Sequence, residues 1–229
     1  MQALVSGANR GLGFEMTRQL LARGDRVVAA CRQPGRALAL TRLAGDHPGR
    51  LHVLPLDLTD ARTITELARE AAGLDLCFDL VVNNAGVLVE GERFGAVEAK
   101  SLRDSFAVNA EGPFLLTQAV AERLAEGAKV VNLSSTLGSI TRTSSLYSPS
   151  YAVSKAALNM ATRLLAIALR ERGAIVIALS PGWVRTEMGG AGAPLKPEAS
   201  IAAMLRVIDH LKPADSGRFL AHTGESIPW

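Results

Sequence analysis

Residues Gln2–Ser6 form a short apolar run that passes directly into Ser6-Gly7-Ala8-Asn9-Arg10-Gly11-Leu12-Gly13, and a helical pattern begins at Gly11. No other feature restricts the fold as strongly. Glycine has no Cβ, so it turns a chain sharply and lets backbone N–H groups approach a phosphate at a helix N-terminus. Glycine-rich turns are common; one placed between a first strand and a first helix points to a dinucleotide.

The rest of the chain repeats the same alternation. Strand candidates are Gln2–Ser6, Arg26–Ala30, Leu51–Pro55, Phe78–Val82, Lys129–Leu133, Ala174–Leu179 and Gly217–Leu220. Several are almost continuously hydrophobic, the pattern of strands covered on both faces. Helical patterns lie between them over Gly11–Arg23, Asp60–Ala72 (Thr59 as N-cap), Ser101–Glu126, Tyr151–Arg172 and Glu198–Leu211. Helices that connect parallel strands make right-handed crossovers. The expected fold is α/β: a Rossmann-type, doubly wound parallel sheet of about seven strands with helices on both faces. At 229 residues it fits one domain, 1–229. Gly189–Pro197 looks the most flexible, and a short substrate lid is expected around 187–200.

Composition excludes several classes. Net charge is +3 with the arginines scattered, so no basic face for nucleic acid is expected. Cys31 and Cys77 lie in apolar runs and are expected as buried free thiols in a reducing compartment. The histidines His47, His52, His210 and His222 lack ligand spacing, so no metal site is expected. No run approaches the ~20 apolar residues that span a bilayer, and no leader pattern opens the chain. A cytoplasmic protein without membrane contact is expected. A hydrolase is disfavoured, because G-x-S-x-G is missing.

Chemistry concentrates in the second half. Tyr151 and Lys155 stand at i and i+4, one turn apart on one helix face. A phenol titrates at about pH 10 and is a poor acid–base catalyst at neutrality unless a nearby cation favours its ionised form. The pair follows Val130-Val131-Asn132-Leu133-Ser134-Ser135, an apolar run that ends in two serines. Tyr147 is close in sequence but has no lysine at i+4.

Together these motifs resemble the short-chain dehydrogenase/reductase family, whose fingerprint is T/S-G-x-x-x-G-x-G. The resemblance implies a dinucleotide held by Ser6, Gly7, Asn9, Arg10, Gly11, Leu12 and Gly13, with Asp57 and Leu58 at the adenine. It assigns Asn83, Ala85 and Gly86 of Asn83-Asn84-Ala85-Gly86 to the cofactor, with Pro181, Gly182, Val184 and Thr186 at the carboxamide. Tyr151 becomes the general acid/base and Lys155 its partner, both also touching the cofactor. Ser135 holds the substrate oxygen, with Ser134 as the alternative, and Asn109 positions a water beside the lysine. Ser135 and Tyr151 are 16 residues apart, more than is usual in the family, and the extra residues fall in Ser139–Pro149, which should line the substrate pocket.

Where relatives that use NAD carry Asp, 24 residues after Gly7, this chain has Cys31, followed by Arg32. With Arg10, two guanidiniums can bind a 2′-phosphate, so NADP(H) is expected over NAD(H). Ser134–Ile140, Pro181–Gly190 and the tail Gly217–Trp229 are similar to the C-factor-like and sniffer-type carbonyl reductases. That resemblance implies a reductase of small aldehydes or ketones. It also leaves open a cofactor-binding signalling protein with little turnover. Leu137, Ser145, Tyr147, Trp183 and Met188 suggest a partly apolar carbonyl compound. Apolar residues on more than one side of the long helices imply a homodimer or homotetramer.

Overall fold

The computed structural model describes residues 1–229. Seven strands pair into one parallel sheet: β1 (Gln2–Ser6), β2 (Arg26–Cys31), β3 (Leu51–Pro55), β4 (Phe78–Asn83), β5 (Leu124–Leu133), β6 (Ile175–Ser180) and β7 (Phe219–Ala221). Their order is β3-β2-β1-β4-β5-β6-β7. The chain therefore winds one way from β1 to β3 and the other way from β4 to β7. Ligands in such sheets bind beyond the carboxyl ends of the strands where the direction reverses, here between β1 and β4.

The helices are α1 (Gly11–Ala22), α2 (Leu38–Asp46), α3 (Ala61–Gly73), α4 (Ala99–Phe106), α5 (Gly112–Ala119), α6 (Pro149–Ala168) and α7 (Pro197–Asp209). Strand side chains alternate between faces. Ala3 and Val5 of β1 join Leu20, Met204 and Ile208 of α1 and α7 on one side. Leu4 joins Leu67, Leu116 and Leu165 of α3, α5 and α6 on the other. Because both faces are covered, both sets are apolar, which explains the unbroken hydrophobic runs.

Several details depart from the sequence reading. The helix expected over Ser101–Glu126 is broken. After α4 the chain makes a π turn over Ala107–Glu111, resumes as α5, and Leu124–Glu126 are already strand. Pro113 has no N–H for the Asn109 carbonyl four residues back, and the Gly112 N–H bonds to Ala107 O instead. Leu124 then pairs with Phe78 across a register irregularity. Helix α2 was not anticipated: it is short, with Leu40 and Leu43 its only buried residues and no side-chain cap. The N-cap of α3 is Asp60, not Thr59. The Asp60 carboxylate accepts from Arg62 N at 3.0 Å, while the Thr59 hydroxyl donates to Asp57. Cys31 is buried, but Cys77 is exposed at the mouth of β4. Gly189–Pro197 is tied down: Val184 and Leu195 form a bridge, Arg185 N donates to Leu195 O, and Pro197 opens α7.

Candidate active site

The glycine turn is held against β4 by one hydroxyl. Ser6 Oγ accepts from Asn84 N (3.1 Å) and Ala85 N (3.2 Å). Asn84, absent from the sequence-based site, donates from Nδ2 to Ser6 O and Gly7 O. Its signal was the second Asn of the Asn-Asn-Ala-Gly run. Space is tight: a Cβ on Gly13 would lie 2.3 Å from Gly7 O, and one on Gly7 2.8 Å from Ala85 Cα. The N-cap of α1, Arg10, is extended and makes no side-chain cap. The first-turn N–H groups of α1 are thus not consumed by a capping side chain, which suits an anionic pyrophosphate.

Not every expected cofactor residue presents its side chain. Asn83 is buried and donates to Asn132 Oδ1 (2.7 Å) and Thr117 Oγ1 (3.0 Å), so it braces β4 against β5 and α5. Asp57 closes a turn on Thr59, and buried Leu58 packs where Gly112 allows α5 to approach. Arg32 is exposed without an ionic partner. Arg10 reaches across the cleft mouth to the Glu187 carboxylate. Thr186 lies within 4 Å of where a Gly11 Cβ would stand, which brings the Pro181–Thr186 segment over the glycine turn.

At the ends of β5 and α6 the side chains converge. Ser134 Oγ donates to Asn159 Oδ1 at 2.7 Å and is buried, so it faces away. Ser135 accepts from Leu137 N, and its hydroxyl stands beside the Tyr151 phenol. Geometry thus separates the two serines that the sequence left as alternatives. Lys155 Nζ lies 5.5 Å from the centre of the Tyr151 ring and donates to Leu133 O at 2.7 Å. An ammonium has three donors, and this buried one uses a single bond. Gly138 packs directly on the helix: a Cβ there would lie 2.8 Å from the Lys155 carbonyl carbon.

Asn109 sits in the π turn. Its Oδ1 accepts from Val87 N and its Nδ2 donates to Val87 O, both at 2.8 Å, and also to Ser154 Oγ at 2.9 Å. Its side chain therefore clamps the β4 loop to α6. The two halves of the site meet at Gly86, where a Cβ would lie 3.8 Å from Lys155 Nζ.

Burial dominates the electrostatics. It pushes the Tyr151 phenol up to about 12, with the Ser135 hydroxyl pulling weakly the other way. It pushes the Lys155 amine down to about 7. The sequence reading expected the ammonium to lower the phenol. In the protein alone desolvation outweighs that attraction, because both groups are enclosed and the lysine has itself lost much of its charge near neutrality.

The family model for short chain dehydrogenases matches residues 1–194. The chain belongs to the short-chain dehydrogenase family. This dehydrogenase is 33% identical over 230 aligned residues to 1-hydroxy-2-glutathionyl-2-methyl-3-butene dehydrogenase of Rhodococcus sp. (strain AD45), covering 99% of this chain and 98% of that one. It is 40% identical over 153 residues to C-signal of Myxococcus xanthus, covering 66% of this chain and 92% of the relative. Among solved structures, carbonyl reductase Sniffer of D. melanogaster superposes with a TM-score of 0.95 at 30% identity, covering 100% of this chain and 99% of that one. The NADPH-bound carbonyl reductase from chicken fatty liver gives 0.93 at 36% identity, with 100% and 98% covered. The chain is an oxidoreductase of this family and falls in the C-signal and sniffer-type subgroup. No helix is long and apolar enough to cross a membrane.

Proposed function

We propose that this dehydrogenase reduces the carbonyl of a small aldehyde or ketone with NADPH, with Tyr151 as the general acid. The observation that carries the reading is the meeting at Gly86, which brings the buried amine of Lys155 beside the strand end that holds the glycine turn. When bound, the cofactor supplies hydride to the carbonyl carbon. The backbone of Gly7–Gly13 and the N-terminus of α1 hold its pyrophosphate, and Pro181–Thr186 cover its far end. Lys155, which already donates to Leu133 O and stands beside the Tyr151 ring, would hold the cofactor's ribose through a remaining N–H. Ser135 donates to the substrate oxygen. Tyr151 delivers its proton to the same oxygen as negative charge develops there, and a phenol kept protonated by burial is in the correct state to do so.

Arg32, exposed and without an ionic partner, selects the 2′-phosphate, joined by Arg10 once it leaves the Glu187 carboxylate, a reading supported by an NADPH-bound carbonyl reductase among the similar structures. Arg32→Ala should weaken NADPH about tenfold, the loss of roughly one charge-assisted hydrogen bond, and leave NADH unchanged in a fluorescence titration. Equal affinity of the unaltered protein for both coenzymes overturns the selection.

The same reading takes residues 1–229 as one cytoplasmic unit with a short lid around 187–200. Two copies pair through the α4–α6 face, where Phe106, Met160, Leu164 and Ile167 are exposed beside an apolar groove lined by Phe114, Leu115, Ala157 and Ala161. Light scattering tests the pairing. The likeness to C-signal supports a second reading, a cofactor-binding signal protein with little turnover. Oxidation of NADPH against a panel of aldehydes, ketones and diketones separates the two. Turnover supports the reductase; tight NADPH binding with no turnover on any member supports the signal protein.

A further inference from the structure

Glu92 lies in the loop after β4, outside the glycine turn, the Asn-Asn-Ala-Gly run and the Tyr151–Lys155 pair. Its carboxylate reaches the first turn of α6. Oε2 accepts from Ser150 N at 3.0 Å and from Ser150 Oγ at 2.8 Å, and Oε1 is buried without a partner. Ser150 is fully buried, and its hydroxyl also receives the Ser105 hydroxyl at 3.3 Å.

The start of α6 needs such a partner. Its N-cap, Ser148, has φ of 43° and makes no side-chain cap. A non-glycine residue in that left-handed region costs roughly 1 kcal/mol, so the local chain does not hold this helix start unaided. Pro149 has no N–H, which leaves Ser150 N as the first donor to satisfy. Glu92 satisfies it from another loop and puts a negative charge at the positive end of a 20-residue helix. Tyr151 is the next residue. The loop is fastened at its other end too, because Asn109 grips both backbone groups of Val87. Val87–Glu92 is thus a tie from the end of β4 to the first turn of α6.

We propose that Glu92 is a positioning residue for Tyr151: it caps α6 from a distance and fixes the height and rotation of the first turn against Ser135. The proposal rests on Tyr151 as the acid. Displacement of a reacting group by about 1 Å costs on the order of 100-fold in rate, so a cap that frays one turn reads out in catalysis more than in cofactor binding.

Two measurements test it on the full chain. Hydrogen–deuterium exchange followed by mass spectrometry, without any coenzyme, should show Glu92→Ala losing at least tenfold protection in peptides that cover the start of α6. Peptides from β1 and α1 should be unchanged. Glu92→Gln, whose amide oxygen still accepts from Ser150 N, should restore protection. With a carbonyl compound that the unaltered protein reduces, Glu92→Ala should lower kcat ten- to 100-fold with NADPH affinity within twofold, and Glu92→Gln should recover most of it. Unchanged exchange in Glu92→Ala, or loss of protection throughout the chain, overturns the proposal. So does a kcat within twofold of the unaltered protein, or a Gln variant as impaired as Ala. Tyr151→Phe, assayed in parallel, isolates the underlying reading: if it keeps full turnover, the acid is misassigned, while the exchange result still decides whether Glu92 caps the helix.

Discussion

At the carboxyl end of β1, Gly7 and Gly13 leave no room for a Cβ, so the turn there is close-packed backbone. At the carboxyl end of β5 the groups presented are a hydroxyl, a phenol and an amine, brought together from the strand end and from α6. The first region is shaped by side chains that are missing, the second by three that are present, the phenol and the amine buried and the hydroxyl half-buried. A backbone cradle depends on local conformation, so a single added methyl group destroys it. A side-chain triad depends on separate elements staying in register, so it fails through displacement. The difference also explains the opposed electrostatics of Tyr151 and Lys155. Enclosure aligns the two groups, and the same enclosure penalises their charged forms.

Tyr151→Phe should have the largest effect. It removes one oxygen from the second region and nothing from the first, so turnover should fall about 1,000-fold or more while NADPH affinity stays within twofold. A parallel loss of affinity would mean that the regions are not separable. Next come two methyl groups. Gly13→Ala puts a Cβ 2.3 Å from Gly7 O, a contact that backbone cannot relieve cheaply, and should abolish measurable coenzyme binding in a fluorescence titration. Gly138→Ala puts one 2.8 Å from the Lys155 backbone and should lower kcat about 100-fold while the coenzyme still binds. If both variants lose the same function, the contrast fails.

The smallest effect concerns pH. Lys155 moves from an ordinary value of 10.5 to about 7 on folding. Between those values the unfolded chain binds a proton that the folded chain does not, so stability rises as pH increases across that window and is lost as pH falls toward 7. Tyr151 acts oppositely above its ordinary value of 10.0, where the unfolded chain loses its proton first. Between pH 7 and about 10, the thermal midpoint of the coenzyme-free protein should therefore climb more steeply than that of Lys155→Met. Identical slopes in calorimetry would mean that the amine is not desolvated.

Legibility followed the same division. The glycine turn is legible as a turn because its meaning is local: strand, glycines, helix. Most strands were legible because both faces of the sheet are covered. The broken helix after α4 was not, since its interruption depends on Pro113 and on the approach of Gly112 to Leu58, 54 residues earlier. Nor was the fate of Asn83 or Ser134. Each looked like a site residue by position and is turned inward by a partner on another element, Asn132 in one case and Asn159 in the other.

The alternation of strand and helix, the position of the glycine turn and the i, i+4 pairing of Tyr151 with Lys155 are all legible along the chain, because each is written in neighbouring residues and short-range geometry. Folding sets the rest: which serine faces the phenol, that Asn84 rather than Asn83 bonds to the turn, that Glu92 meets α6, and how far burial moves the phenol and the amine. Those outcomes depend on contacts between residues far apart in the chain and on the water that packing excludes, and neither is a property of any local stretch of sequence.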